Sequence, residues 1–336
     1  MRSWHSLGYF QNFRRAVMQQ HIVQPQLTVI ICTYNRAYIL GECLQSLQQQ
    51  TVPTCFFNVI VVDNNSTDNT QVLLKDFTHD WPQLKVIVEN KQGAGSARNA
   101  ALKEVTTDWV ACLDSDGKAH PNWLAEIFET IKKDDFDAFG GPYYAWHFFG
   151  PPPKWFPKKF GTYEAAQGYG PLQRDSYIPG GSCAFKLSTA KAVGNFPTDI
   201  GMTGNKCAYG EETVMFNRMR DAGFRLGYVP DMKIDHCVLP YKYSFVWQMK
   251  SFYARGQSYQ EITTHGAHWF KNLLGIGARL VFSFGKLILL AGNGLVHGWR
   301  SDHQQRVVKI ATKVAFHTGQ LVAAISLFFT MAGKND

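Results

Sequence analysis

The sequence predicts an α/β fold, a mostly parallel Rossmann-like sheet flanked by helices, followed by a helical C-terminal region. Three observations carry this expectation. Apolar runs alternate with helix-period segments at βαβ spacing from Leu27 to Leu113. The runs end in polar residues, with Asp63 after one and Asp114-Ser115-Asp116 after another. Residues 241–336 are helical by pattern and show no strand signal. Three regions follow: 1–26, 27–240 and 241–336.

The elements read in order. Leu27–Cys32 is an apolar strand, and Thr33 to Arg36 a turn. Ile39, Leu40, Cys43, Leu44 and Leu47 then repeat on one face of a helix. Asn58–Val62 and Lys85–Val88 are further strands, with a helix between them. Gly93-Ala94-Gly95-Ser96 opens the Ala-rich helix Ala97–Val105, and Trp109–Leu113 is the fourth strand. After residue 140 the periodicity weakens. The proline-rich, aromatic stretch from Tyr143 to residue 169 forbids a central strand or a helix, so a long loop over one end of the sheet is expected. Ser182–Lys186, a helix around Glu212–Ala222 and a strand-like Leu226–Ile234 follow.

Charge is uneven along the chain. The net charge of +8 divides into +3 over residues 1–26, −3 over 27–236 and +8 over 237–336. A mildly acidic central domain argues against nucleic acid as a partner. Basic, apolar flanks suit an anionic membrane surface. The seven cysteines are scattered and form no C-x-x-C pair, the pattern of reduced thiols in a cytoplasmic protein. No apolar h-region with a small-residue cleavage site opens the chain, and residues 1–24 read as a short amphipathic helix.

Several residues can carry chemistry. A strand that delivers Asp114 and Asp116 together at its carboxyl end places hard oxygens where open α/β sheets bind ligands. Such a pair suits Mg²⁺ or Mn²⁺ carrying a diphosphate, although D-x-D-G is also a common surface turn. Asp63 would share that face and could accept hydrogen bonds from a nucleobase or ribose, or close an Asx-turn. Gly93–Arg98 reads as a phosphate cradle, glycines at a helix N-terminus with Arg98 to bridge a diphosphate, but it lacks the P-loop spacing. Glu211 and Glu212 open a helix as dipole complements, or one of them serves as a general base with its pKa raised by the other. His236, beside Asp235, is a structural histidine or the third donor of a metal site.

Taken jointly, T-V-I-I-C-T-Y-N-R, V-I-V-V-D-N-N-S-T-D-N-T, G-A-G-S-A-R-N-A-A-L, L-D-S-D-G, P-G-G-S-C-A-F and Y-G-E-E resemble the family 2 glycosyltransferases of the GT-A fold over about residues 27–240. The resemblance implies an inverting transferase that takes a sugar from a nucleotide diphosphate with Mg²⁺ or Mn²⁺, a UDP-sugar being the first expectation. It implies that Thr33 and Asp63 hold the nucleobase and ribose, that Arg98 contacts the donor, and that Asp114 supports it. Asp116 would be the metal ligand, and His236, on its chemistry alone, is the third donor that would complete that site. Glu212, at the usual Asp of a G-E-D motif, would be the catalytic base, with Glu211 beside it. Gly180, Gly181 and Ser182 would line the acceptor side, and Trp155 would belong to an aromatic acceptor platform. Cys32-Thr33-Tyr34 stands where Pro-x-Tyr is more usual.

The acceptor implied is a hydroxyl of a glycan or lipid-linked substrate, and the expected place is the cytoplasmic face of a membrane, peripherally bound. A nucleotidyltransferase is the rival enzyme, but Cys32–Arg36 is not its G-x-G-x-R loop. A non-catalytic sugar- or partner-binding module is disfavoured by intact acids at 63, 114, 116 and 212. In the C-terminal region, Leu273–His297 carries Arg279 and Lys286 on one helical face, as an interfacial helix would. Residues 314–333 lack formal charge and are just long enough to span a bilayer. A spanning helix, peripheral association and a soluble subdomain that forms a homo-oligomer stay open.

Overall fold

The computed structural model describes residues 25–173, 175–203, 207–263, 269–297 and 301–332. The amphipathic segment expected at 1–24 lies outside these residues. The strands are β1 (Leu27–Thr33), β2 (Phe57–Asp63), β3 (Leu84–Val88), β4 (Trp109–Leu113), β5 (Gly117–Ala119), β6 (Ala138–Gly140), β7 (Tyr143–Trp146), β8 (Gly170–Pro171), β9 (Ser182–Lys186), β10 (Leu226–Tyr228) and β11 (Ile234–Cys237). The helices are α1 (Ala37–Gln48), α2 (Thr70–Asp80), α3 (Ala94–Glu104), α4 (Trp123–Lys133), α5 (Leu187–Ala192), α6 (Glu211–Asp221), α7 (Phe245–Thr263), α8 (Trp269–His297) and α9 (Ser301–Ala332).

The main sheet runs in the order β3-β2-β1-β4-β9-β6-β10-β8. The first four strands are parallel, and β9 enters antiparallel between β4 and β6. Successive residues explain why the strands read as unbroken apolar runs. Leu27, Val29 and Ile31 enter one core with Val59, Val61, Ala111 and Leu113, whereas Ile30, Ile60, Val62, Val110 and Cys112 enter the other. A sheet covered on both faces needs apolar residues at every position, not at alternate ones. Leu40 and Leu44 of α1 with Trp123 and Ile127 of α4 cover the first face. Ala97 and Ala101 of α3 with Met215 and Met219 of α6 cover the second.

A smaller sheet, β5-β11-β7, stands apart from the main one, and it corrects two expectations. The segment 226–234 is not one strand: β10 pairs with β6 in the main sheet, and β11 pairs with β5 and β7 in the small one. The stretch beginning at Tyr143 is not all loop, because Tyr143–Trp146 precedes the prolines and pairs with Ile234–Cys237. A distant partner makes this part a strand, and the run of prolines starts only at Pro151.

The C-terminal helices are bound to the α/β body. A Cβ at Gly256 of α7 would collide with the Phe316 carbonyl, and one at Gly319 of α9 with the Tyr253 carbonyl, so reciprocal glycines bring the two backbones together. Tyr209 links α7 to the loop before α6, through its hydroxyl to Ser251 Oγ at 2.8 Å and its N–H to Ser258 Oγ at 3.1 Å. Among the described residues no helix is long and apolar enough to cross a membrane.

Candidate active site

The carboxyl ends of β1, β2 and β4 set the site. Thr33 and Asp63 are register partners at the ends of β1 and β2, and Asp114 follows β4. The chain turns back at once, with Gly117 N–H donating to Asp114 O at 2.8 Å, and enters β5. Because β5 pairs with β11, His236 lies opposite Gly117, and Cys237 N–H donates to Asp116 O at 2.8 Å. One ligand atom from each of Asp114, Asp116 and His236 then falls within 4.8 Å of the others. Two hard carboxylates and one borderline imidazole suit Mg²⁺ or Mn²⁺. His236 Nδ1 and Thr33 Oγ1, both buried, make no hydrogen bond among the described residues, as expected of groups set for a ligand.

Asp116 is buried between two cations and an imidazole. Arg36 Nη1 donates to its Oδ2, His236 Nε2 stands 3.4 Å from Oδ1, and Lys242 Nζ lies 3.8 Å from Oδ2. Burial alone would raise the carboxyl pKa. The Arg36 charge, the His236 ring and the Lys242 charge outweigh it and hold Asp116 well below the ordinary range. Lys242 is pulled down by its own burial, against the pull of Asp116. Sequence reasoning missed both partners. Arg36 lay inside the T-Y-N-R motif but was read only as a turn, and nothing local marks Lys242.

Arg98 joins the second half of the site. Its guanidinium is buried, donates to Glu211 Oε1 at 2.6 Å and lies 3.7 Å from Asp114 Oδ1. The Gly93–Ser96 turn is no open phosphate cradle. A Cβ at Gly95 would collide with the Pro197 carbonyl, and Ala94 N–H donates to Met202 O at 3.0 Å. The glycines seat the 196–202 loop, and that packing aims Arg98 at the acids. Gly210, at φ +108°, turns the chain into α6, so Glu211 and Glu212 share its first turn. With Glu211 tied to Arg98, burial and the adjacent Glu211 charge push half-buried Glu212 up to about 8, partly offset by Arg98. A carboxylate tuned near neutrality suits proton abstraction from a hydroxyl.

The remaining expected residues divide. Asp63 is fully buried and already engaged, accepting from Ser66 N–H at 2.9 Å and from Gln71 Nε2 at 3.0 Å, the Asx-turn geometry. Gly181 and Gly180 are where they are for space: a Cβ on Gly181 would collide with the Asp114 carboxylate, and one on Gly180 would stand 3.0 Å from Glu212 Cγ. Ser182 is fully buried, bonded to Trp123 Nε1 at 3.3 Å and to Met232 O at 3.4 Å, so it braces the loop from beneath and does not line it. Trp155 packs edge-on to Phe156 and Phe245, against the head of α7. The aromatic group beside the metal-type cluster is instead Tyr143, Tyr163 and Tyr177. Tyr163 and Tyr177 stack at 4.0 Å, and the Tyr143 ring lies 5.6 Å from His236.

Comparison with known proteins converges on one family. Residues 28–187 match the model of glycosyl transferase family 2. The chain is 28% identical over 223 residues to the glycosyltransferase AglE of Haloferax volcanii, covering 65% of this chain and 68% of that one. It is 26% identical over 252 residues to the succinoglycan biosynthesis protein ExoM of Rhizobium meliloti, covering 73% and 78%. A mannosyltransferase of Pyrobaculum calidifontis, solved with GDP-Man and Mn²⁺, shares the fold with a TM-score of 0.61 at 20% identity over 94% of both chains. TarS of S. aureus, solved with UDP-GlcNAc, gives 0.53 at 16% identity over 88% and 90%. With two carboxylates just after β4, a histidine beside them and two glutamates opening α6, residues 28–187 carry a glycosyl transferase family 2 domain and the chain is a glycosyltransferase.

Proposed function

We propose that this chain transfers a sugar from a nucleotide diphosphate to a hydroxyl of a glycan or lipid-linked acceptor, with inversion at the anomeric carbon. The observation that carries this is the pairing of a three-donor cluster, Asp114, Asp116 and His236, with a separate carboxylate, Glu212, tuned to about 8. Asp116 and His236 would hold Mg²⁺ or Mn²⁺, with Asp114 supporting the donor. When bound, the ion would neutralise charge on the leaving diphosphate. Arg36 and Lys242, already gathered on Asp116, add positive charge on the same side. Thr33 Oγ1 is free to meet the nucleoside, while Asp63 shapes the turn beneath it.

Glu212 takes the proton of the acceptor hydroxyl. That oxygen forms the new bond to the anomeric carbon as the bond to diphosphate breaks on the opposite face, its electron pair leaving with the diphosphate. Arg98 holds Glu211 in place, so the base and its neighbour play unequal parts. Tyr143 and Tyr177 offer ring faces on which a sugar can stack. We place the enzyme peripherally at the cytoplasmic face of a membrane, a reading supported by the +8 charge of residues 237–336. A panel of UDP- and GDP-sugars incubated with Mn²⁺ tests the proposal: release of nucleoside diphosphate from one donor supports it, and turnover of none refutes it.

A further inference from the structure

The helical region contains a cavity of about 410 Å³ between α7, α8 and α9. Phe252, Phe282 and Phe316 wall it, one from each helix, and Arg279 and Lys313 line it from α8 and α9. Among the described residues neither cation has a carboxylate within ion-pair distance, and no lining residue is acidic. Both cations are exposed at its rim, where their charges favour an anion that enters the hollow.

The surface next to this cavity is apolar and exposed. Val281, Phe282, Ile288 and Leu289 are 73%, 65%, 60% and 70% exposed, and their spacing puts them on one side of α8. Residues 269–297 contain no Asp or Glu, and Lys286 folds over the Phe282 ring at 4.2 Å. An apolar stripe flanked on the same helix by Arg279 and Lys286 matches an anionic lipid surface in both hydrophobicity and charge.

We infer that the α7–α8–α9 cavity binds the phosphate of a membrane lipid, a phosphate ester on a hydrocarbon chain, with α8 lying in the surface of an anionic bilayer. Arg279 and Lys313 hold the phosphate oxygens, and Phe252, Phe282 and Phe316 hold the first carbons of the chain. The position also connects to the catalytic body. On α7, Arg255 stacks between Phe252 and Tyr209, at 5.2 and 5.0 Å, and Tyr209 leads through Gly210 into Glu211 and Glu212. The inference rests on the membrane-surface part of the proposed function and not on the transfer chemistry.

The test is co-sedimentation of the full chain with vesicles of phosphatidylcholine alone, or containing phosphatidylglycerol or a polyprenyl phosphate. The protein should pellet with either anionic vesicle and stay in solution with phosphatidylcholine. Arg279→Ala combined with Lys313→Ala should weaken partition about thirtyfold, at about a fivefold loss per cation near the surface. Ile288→Ser with Leu289→Ser should abolish pelleting while far-UV circular dichroism stays unchanged. Dodecyl phosphate should compete where equal inorganic phosphate does not. Equal pelleting of the Arg279/Lys313 variant, equal pelleting on phosphatidylcholine, or displacement by inorganic phosphate as effective as by dodecyl phosphate would each overturn the inference. Nucleotide-sugar turnover measured on the same preparation separates the two claims, since vesicle binding without turnover refutes only the proposed reaction.

Discussion

Arg98 donates to Glu211 at 2.6 Å, and the neighbouring Glu212, one residue on, has no ion pair among the described residues. Two adjacent glutamates thereby acquire different characters. Glu211 is a buried, compensated anion, and Glu212 carries a carboxyl whose proton leaves near neutrality.

Replacing Arg98 therefore strands a buried charge. Arg98→Ala should cost about 3–5 kcal/mol of stability, the usual loss when one partner of a buried pair is removed. Urea unfolding measures it. Arg98→Met with Glu211→Leu, which removes both charges, should recover most of that loss.

Glu212→Gln should lower transfer by about 10²–10⁴, the usual contribution of a positioned base, and leave donor binding intact in calorimetry. In the wild type the competent form is the carboxylate. Below about 8, kcat/KM should climb with pH and then level off. Stability runs the other way. The folded protein holds this proton more tightly than the ordinary value of 4.5 allows, so folding loses stability as pH rises toward about 8. The melting temperature of Glu212→Gln should gain on that of the wild type across this window.

Gly181→Ala tests the space that Asp114 occupies. The new methyl would collide with the carboxylate, so the acid must swing away from Asp116 and His236. About 1–3 kcal/mol of stability and about a hundredfold in transfer should be lost, the latter from misplacement alone. Steady-state kinetics beside thermal melting separate the two effects.

The crossing of α7 and α9 should be equally intolerant. Gly319→Val drives a side chain into the Tyr253 carbonyl, and the shift passes through α7 to Ser251 and Ser258, which hold Tyr209. A lower melting temperature together with reduced transfer is expected, although residue 319 lies more than a hundred positions from Glu212.

Much of the fold was legible because a doubly covered parallel sheet writes itself as continuous apolar runs separated by helices. The acids after β2 and β4 were legible for the same reason, since strand ends are easy to place. What the sequence concealed was set by distant partners. His236 reaches Asp116 only because β11 pairs with β5, and Lys242 follows β11 into the same place. Gly95 suggested a phosphate, yet its lack of a side chain admits Pro197. Asp63 offered two readings, and its hydrogen bonds to Ser66 and Gln71 have the geometry of the turn. Trp155 lies in the aromatic stretch that the sequence marks, but the fold packs it on Phe245 and places Tyr143 beside His236.

Asp114, Asp116 and His236 should bind a divalent cation together with a nucleoside diphosphate. Isothermal titration of UDP and GDP into the wild type and Asp116→Ala, with Mn²⁺ and with EDTA, tests it most directly. One of the two nucleotides should bind the wild type only with Mn²⁺ and fail to bind Asp116→Ala. Metal-independent binding, or equal affinity in the variant, would contradict it.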